Sequence, residues 1–120
     1  MKRILIIDDE GKIRCLFKRF LTDEGFEVIE AKDASEGTFQ MIKIGKPVDI
    51  VLLDVNMPEV DGCYMRQVIE EWDPSLKVIV SSVYSLDEQK QMIPNAADYY
   101  DKSKGTKDLL KKINKVLEYA

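Results

Sequence analysis

Three aspartates, two serines and a lysine occupy equivalent places in this chain, each at the end of a short run with strand character. Asp8 and Asp9 follow Ile4-Leu5-Ile6-Ile7, and Asp54 follows Ile50-Val51-Leu52-Leu53. Ser81 and Ser82 follow Val78-Ile79-Val80, and Lys102 follows Asp98 to Asp101. Taken singly, each is what a polar loop or a helix cap would show. Brought together, they would make a site for a cation and an anion. Carboxylates crowded into a partly desolvated cleft repel one another, so a fold that keeps them needs a compensating charge. All-oxygen ligands select a hard ion, and a few carboxylates completed by water and phosphate oxygen describe magnesium.

Convergence depends on the elements that carry these residues. Ile4 to Ile7 and Ile50 to Leu53 are apolar on both faces, as in parallel strands covered by helices on both sides. Glu27 to Glu30, Val78 to Val80 and Asp98 to Asp101 read as further strands. Between them runs helical periodicity. Ile13, Leu16, Phe17, Phe20 and Leu21 form one inward face, stopped by Gly25. Asp33 can cap a helix reaching about Ile44, and Met65, Val68, Ile69 and Trp72 mark another. A short helix is expected from about Leu86 to Ile93, stopped by Pro94. Thr106 would cap the last, with Leu109, Leu110, Ile113, Val116 and Leu117 inward. Five βα units predict an α/β fold, a five-stranded parallel sheet with helices on both faces, as one domain over residues 1–120. In such a sheet, sites form at the carboxyl ends of the strands, near the switch in strand order. All six residues lie at that edge.

Composition narrows the function classes. The chain has 120 residues, room for one core, and a net charge of −4, which disfavours nucleic acid as the partner. No apolar run reaches membrane-spanning length, and Met1 to Glu10 lacks the long apolar core of a signal peptide, so a cytoplasmic protein is expected. The absence of histidine excludes Ser-His catalysis and any role as a phosphohistidine donor. Cys15 and Cys63 fit no metal spacing and are expected to be small apolar fillers.

The ordered set Ile6-Ile7-Asp8-Asp9-Glu10, Leu52-Leu53-Asp54-Val55-Asn56-Met57-Pro58, Asp61-Gly62, Val78-Ile79-Val80-Ser81-Ser82 and Tyr99-Tyr100-Asp101-Lys102 resembles the receiver domain of two-component response regulators, in particular the single-domain, CheY-like members. The resemblance spans essentially the whole chain. It implies a flavodoxin-like (βα)5 open sandwich. Asp54 would be the phosphoacceptor, taking a phosphoryl group from a phosphohistidine on a sensor histidine kinase or phosphotransfer protein. Asp9, Asp54 and the main-chain carbonyl of Asn56 would ligate Mg²⁺, with Asp8 acting through a water. Lys102 would pair with the phosphoryl group and Ser82 would donate its hydroxyl. Ser82, Tyr84 and Tyr99 would form the switch, with Tyr99 turning inward on modification. A protein output partner would dock on the short helix near residues 86–93, the last strand and the last helix. Such a domain is not an enzyme beyond its own phosphorylation and dephosphorylation.

Three features depart from the family pattern. Ser103 follows Lys102 where a cis-linked proline is usual; a trans Lys102-Ser103 bond is expected, because a non-proline cis bond costs about 2.5–4 kcal/mol. Val83 stands where alanine or glycine is usual, and the stretch from Ser82 to Lys102 is short. Two other readings remain: a receiver-shaped docking module no longer phosphorylated, and a phosphohydrolase with an aspartate nucleophile. The latter would want a second acid where Asn56 stands. Asp54 to Asp61 lacks the oxygen spacing of a calcium loop. The acidic cluster is further expected to cost stability when no metal is bound, so that Asp8→Asn would stabilise the metal-free protein.

Overall fold

The computed structural model describes residues 1–44, 48–55, 71 and 75–118, with the side chains of residues 34 and 44 left aside. Five strands, β1 (Arg3–Ile7), β2 (Glu27–Ala31), β3 (Ile50–Asp54), β4 (Lys77–Ser82) and β5 (Asp98–Asp101), form one sheet in the order β2-β1-β3-β4-β5. All four pairings are parallel. The described helices are α1 (Gly11–Asp23), α2 (Ala34–Ile44), α3 (Leu86–Met92) and α4 (Thr106–Glu118), with a single 3₁₀ turn at Lys102–Lys104. The expected helix around Met65 to Trp72 and the loop with Asn56, Asp61, Gly62 and Cys63 lie outside the described residues.

Burial on both faces accounts for the all-apolar strands. Ile4, Ile6, Ile50, Leu52 and Ile79 pack on one side with Phe17 and Leu21 of α1 and Leu109, Ile113 and Val116 of α4. Leu5, Ile7, Val51, Leu53 and Val78 pack on the other, where Met41 of α2 joins them. Beside them Val80 and Tyr99 pack with Leu86 of α3 and Ile93. Helix α2 approaches β1 closely: a Cβ on Gly37 would lie 2.6 Å from Ile7 Cδ1.

Local signals set most boundaries. The Asp33 carboxylate accepts the Glu36 N–H at 2.8 Å and so caps α2. Ser85 and Glu88 form a reciprocal cap on α3, the serine Oγ accepting the Glu88 N–H at 3.3 Å and donating to Glu88 Oε1 at 3.0 Å. Gly25, at φ 95°, terminates α1 as expected. Three expectations need correction. Leu16 is 52% exposed, because the buried stripe of α1 is centred on Phe17 and Leu21 and a neighbour lies about 100° around the helix. Cys15 is exposed, not a core filler. Thr106 is the first residue of α4, not its cap; the Gly105 carbonyl accepts the Leu109 N–H at 3.4 Å, and Gly105 takes φ 85°.

Candidate functional site

In the order β2-β1-β3-β4-β5 the winding switches sides between β1 and β3, the place at which open parallel sheets build sites at their carboxyl ends. Asp54 ends β3 and Asp8 follows β1. Both carboxylates are about 3% exposed, whereas Asp9 is exposed. One oxygen from each of Asp8, Asp9 and Asp54 lies within 4.8 Å of the others. The Lys102 ammonium, its side chain 8% exposed, lies 2.8 Å from Asp8 Oδ2 and 3.6 Å from Asp54 Oδ1. Four of the expected residues therefore do converge.

Backbone bonds hold this group. The Glu10 N–H reaches Asp8 Oδ1 at 2.9 Å, fixing the carboxylate where the chain turns into α1. Arg14, which no sequence pattern singles out, donates to the Asp8 main-chain oxygen at 2.7 Å and pairs with Glu30 at 3.3 Å. Three carboxylates against one ammonium leave an excess of two negative charges. Oxygen-only donors with that excess fit a divalent hard cation.

The two serines have different surroundings. Ser81 stands directly across the ladder from Asp54, and Ser82 stands across from Asp101. The Ser81 hydroxyl is buried, with no hydrogen-bond partner among the described residues. Ser82 is fully buried, and its hydroxyl accepts the Tyr84 N–H at 3.1 Å. Tyr84 is 39% exposed. Tyr99, expected to turn inward, is already 7% exposed; its hydroxyl donates to the Ile93 carbonyl at 2.6 Å and accepts the Ala96 N–H at 3.2 Å.

Sequence reasoning missed Gln89. Fully buried on α3, its amide donates to the carbonyls of Tyr84 at 2.8 Å and Tyr100 at 2.9 Å, tying the loop after β4 to β5. No pattern marks such a glutamine, because its acceptors are main-chain carbonyls on other elements, β5 and the loop before α3. Lys102 and Ser103 are joined by a trans peptide, as expected; no cis bond occurs among the described residues. Asp101 is held below its usual carboxylate pKa by the hydroxyl and amide of Ser103, with a smaller contribution from Lys104. Tyr100 is pushed up to about 12, chiefly by burial and then by Asp108 and Asp101.

The family model of the response regulator receiver domain matches residues 4–114. The chain belongs to that family. Among relatives of this receiver domain is the chemotaxis protein CheY of Listeria monocytogenes, 37% identical over 113 residues, covering 93% of this chain and 87% of that one. The response regulator GacA of Pseudomonas aeruginosa is 31% identical over 97% of this chain, but the chain spans only about half (55%) of GacA. Among solved structures, the response regulator TrrA of Thermotoga maritima in complex with Mg²⁺-BeF superposes with a TM-score of 0.80 at 31% identity, covering 97% of this receiver domain and 99% of TrrA. TrrA in complex with the histidine kinase ThkA gives the same TM-score at 32% identity, covering 98% and 99%. The expected five-stranded parallel fold is borne out. No described helix of the receiver domain is long and apolar enough to cross a membrane.

Proposed function

We propose that this receiver domain accepts a phosphoryl group on Asp54 from the phosphohistidine of a sensor histidine kinase or phosphotransfer protein. The observation that carries the reading is the meeting of Asp8, Asp9 and Asp54 within 4.8 Å under the Lys102 ammonium. An Asp54 oxygen attacks phosphorus, the O–P bond forms, and the P–N bond to the donor imidazole breaks. The imidazole leaves and takes up a proton. Lys102, between Asp8 and Asp54, meets the incoming phosphoryl oxygens, and Ser82, whose oxygen accepts the Tyr84 N–H, donates its hydroxyl to one of them.

Asp8, Asp9 and Asp54 would hold Mg²⁺, with the carbonyl of Asn56, which lies outside the described residues. When bound, the ion would screen the carboxylates and the charge on the transferred group. The TrrA complex with Mg²⁺-BeF supports that choice of ion, and the complex with ThkA supports a kinase as donor. Modification adds roughly one negative charge and new acceptor oxygens, which gives Ser82 and Lys102 a reason to shift. The shift would be read by a protein partner on α3, β5 and α4, where Val83 and Tyr84 before α3 and Met92 at its end are exposed. The domain works in the cytoplasm as a signalling module whose only catalysis is its own phosphorylation and dephosphorylation.

The test is intact-protein mass spectrometry with acetyl phosphate. One phosphoryl group is expected in Mg²⁺, and none with EDTA or in Asp54→Asn. Undiminished labelling of the Asn variant would overturn the assignment, and an unlabelled parent would leave the docking-module reading.

A further inference from the structure

Lys102 has a distance problem. It leaves the sheet at the end of β5, while Asp8 follows β1, and β4 and β3 lie between. Three strand spacings of about 4.8 Å come to roughly 14 Å. A lysine side chain, five bonds of about 1.5 Å from Cα to Nζ, spans roughly 6 Å. The ammonium nevertheless sits 2.8 Å from Asp8 Oδ2. The Asp8 side chain, reaching about 3 Å, and the 2.8 Å contact itself cover most of the remainder, so the direction in which Lys102 leaves β5 decides whether the ammonium arrives. Lys102 is the first residue of the 3₁₀ turn Lys102–Lys104, which sets that direction.

That turn is short, and a single 3₁₀ turn has little stability of its own. It is held at both ends. At its start the Asp101 carboxylate accepts two bonds through one oxygen, from the Ser103 N–H at 2.9 Å and the Ser103 Oγ–H at 2.7 Å. At its end the buried Tyr100 hydroxyl donates to the Gly105 carbonyl at 2.7 Å. The second contact fixes where the turn stops. The first fixes the direction in which it departs from β5, because Asp101 caps the turn and Lys102 is its first residue. Asp101 is solvent-facing and does not touch Asp8 or Asp54, so its two bonds act on the site only through the residue between them. An aspartate at the end of a strand can satisfy the next amides in this way because its side chain is short enough to reach two residues on.

We propose that Asp101 is a positioning residue for phosphoryl transfer: its bonds to Ser103 set the turn that aims Lys102 across the sheet edge at Asp8 and Asp54. The inference rests on the assignment of Lys102 to the phosphoryl group.

The experiment measures the rate of acetyl phosphate labelling in Mg²⁺, by intact-protein mass spectrometry, for the parent, Asp101→Ala, Asp101→Asn, Ser103→Ala, Lys102→Met and the double variant Asp101→Ala/Lys102→Met. Asp101→Ala is expected to slow labelling about three- to tenfold, the range that losing one or two turn bonds allows. Asp101→Asn keeps an acceptor for the Ser103 N–H and should recover most of the rate. Ser103→Ala loses only the hydroxyl bond and should slow labelling about twofold. With Lys102→Met already present, adding Asp101→Ala should change nothing further. Equal slowing by Asp101→Ala with and without Lys102 would overturn the proposal, as would a parental rate in Asp101→Ala. Should Asp101→Ala fail to fold, the other two rates decide: a loss of about threefold or more in Asp101→Asn, or parental labelling in Ser103→Ala, also overturns the proposal. Lys102→Met labelling at the parental rate would sink the role given to Lys102 itself, and this inference with it.

Discussion

Neutralising Asp8 is the perturbation whose sign the geometry decides. Crowding alone says that removing one of three carboxylates should stabilise the metal-free protein. The distances alter that balance. At an effective dielectric near 20, attraction between Asp8 and Lys102 at 2.8 Å is about 6 kcal/mol. Repulsion at 4.8 Å, the outer limit of their separation, is about 3.5 kcal/mol for each neighbouring carboxylate. Asp9 is exposed, so its share is screened. The Glu10 N–H at 2.9 Å further favours the charged Asp8. The opposing terms nearly cancel, and Asp8→Asn is expected to move stability by less than about 1 kcal/mol. Without Lys102 the repulsion is no longer offset by a cation among the described residues. Lys102→Met should therefore destabilise by about 3 kcal/mol, the lower end for breaking a buried pair. In that background Asp8→Asn should stabilise, by about 1–3 kcal/mol after solvent screening. The assay is urea unfolding of the four proteins at low salt in EDTA, followed by far-ultraviolet circular dichroism with a common slope. An Asp8→Asn effect equal in both backgrounds, to within about 0.5 kcal/mol, would refute the reasoning.

Two further outcomes are expected. Gly37→Ala gains about 1 kcal/mol of helix propensity, but its Cβ would meet Ile7 Cδ1 at 2.6 Å in a fully buried position, and overpacking costs about 1–3 kcal/mol. The urea midpoint should fall, and a rise would show that the α2–β1 contact yields freely. Tyr100 ionises near 10 when unfolded and at about 12 when folded, so its contribution is complete below pH 10 and is lost as the pH rises toward 12. The stability advantage of the parent over Tyr100→Phe, measured by urea midpoints at pH 7 and pH 11, should shrink at the higher pH; an unchanged advantage would contradict the burial of the hydroxyl.

The strands were legible because burial on both faces leaves no polar position inside Ile4 to Ile7 or Ile50 to Leu53. The placement of Asp8, Asp9, Asp54 and Lys102 at one edge followed from strand order and direction. What escaped depended on geometry across the sheet. The register that puts Ser81 rather than Ser82 opposite Asp54 is set by pairing, not by either strand alone. Gln89 serves carbonyls on two other segments, and Asp101 acts by a turn that its own sequence does not announce. Leu16 shows the opposite limit: an apolar residue at helical spacing can still stand at the rim of the buried stripe.

The hydroxyl of Tyr99 joins a carbonyl and an amide on opposite sides of a tight bend that contains Asn95 at φ 68°. The phenol thereby acts as a crosspiece between the end of α3 and the start of β5. Swinging the ring outward breaks both bonds, and so does prising open residues 93–96 from outside. The two motions share one free-energy term, so a molecule that holds this bend open and one that favours the outward ring must help each other by equal factors.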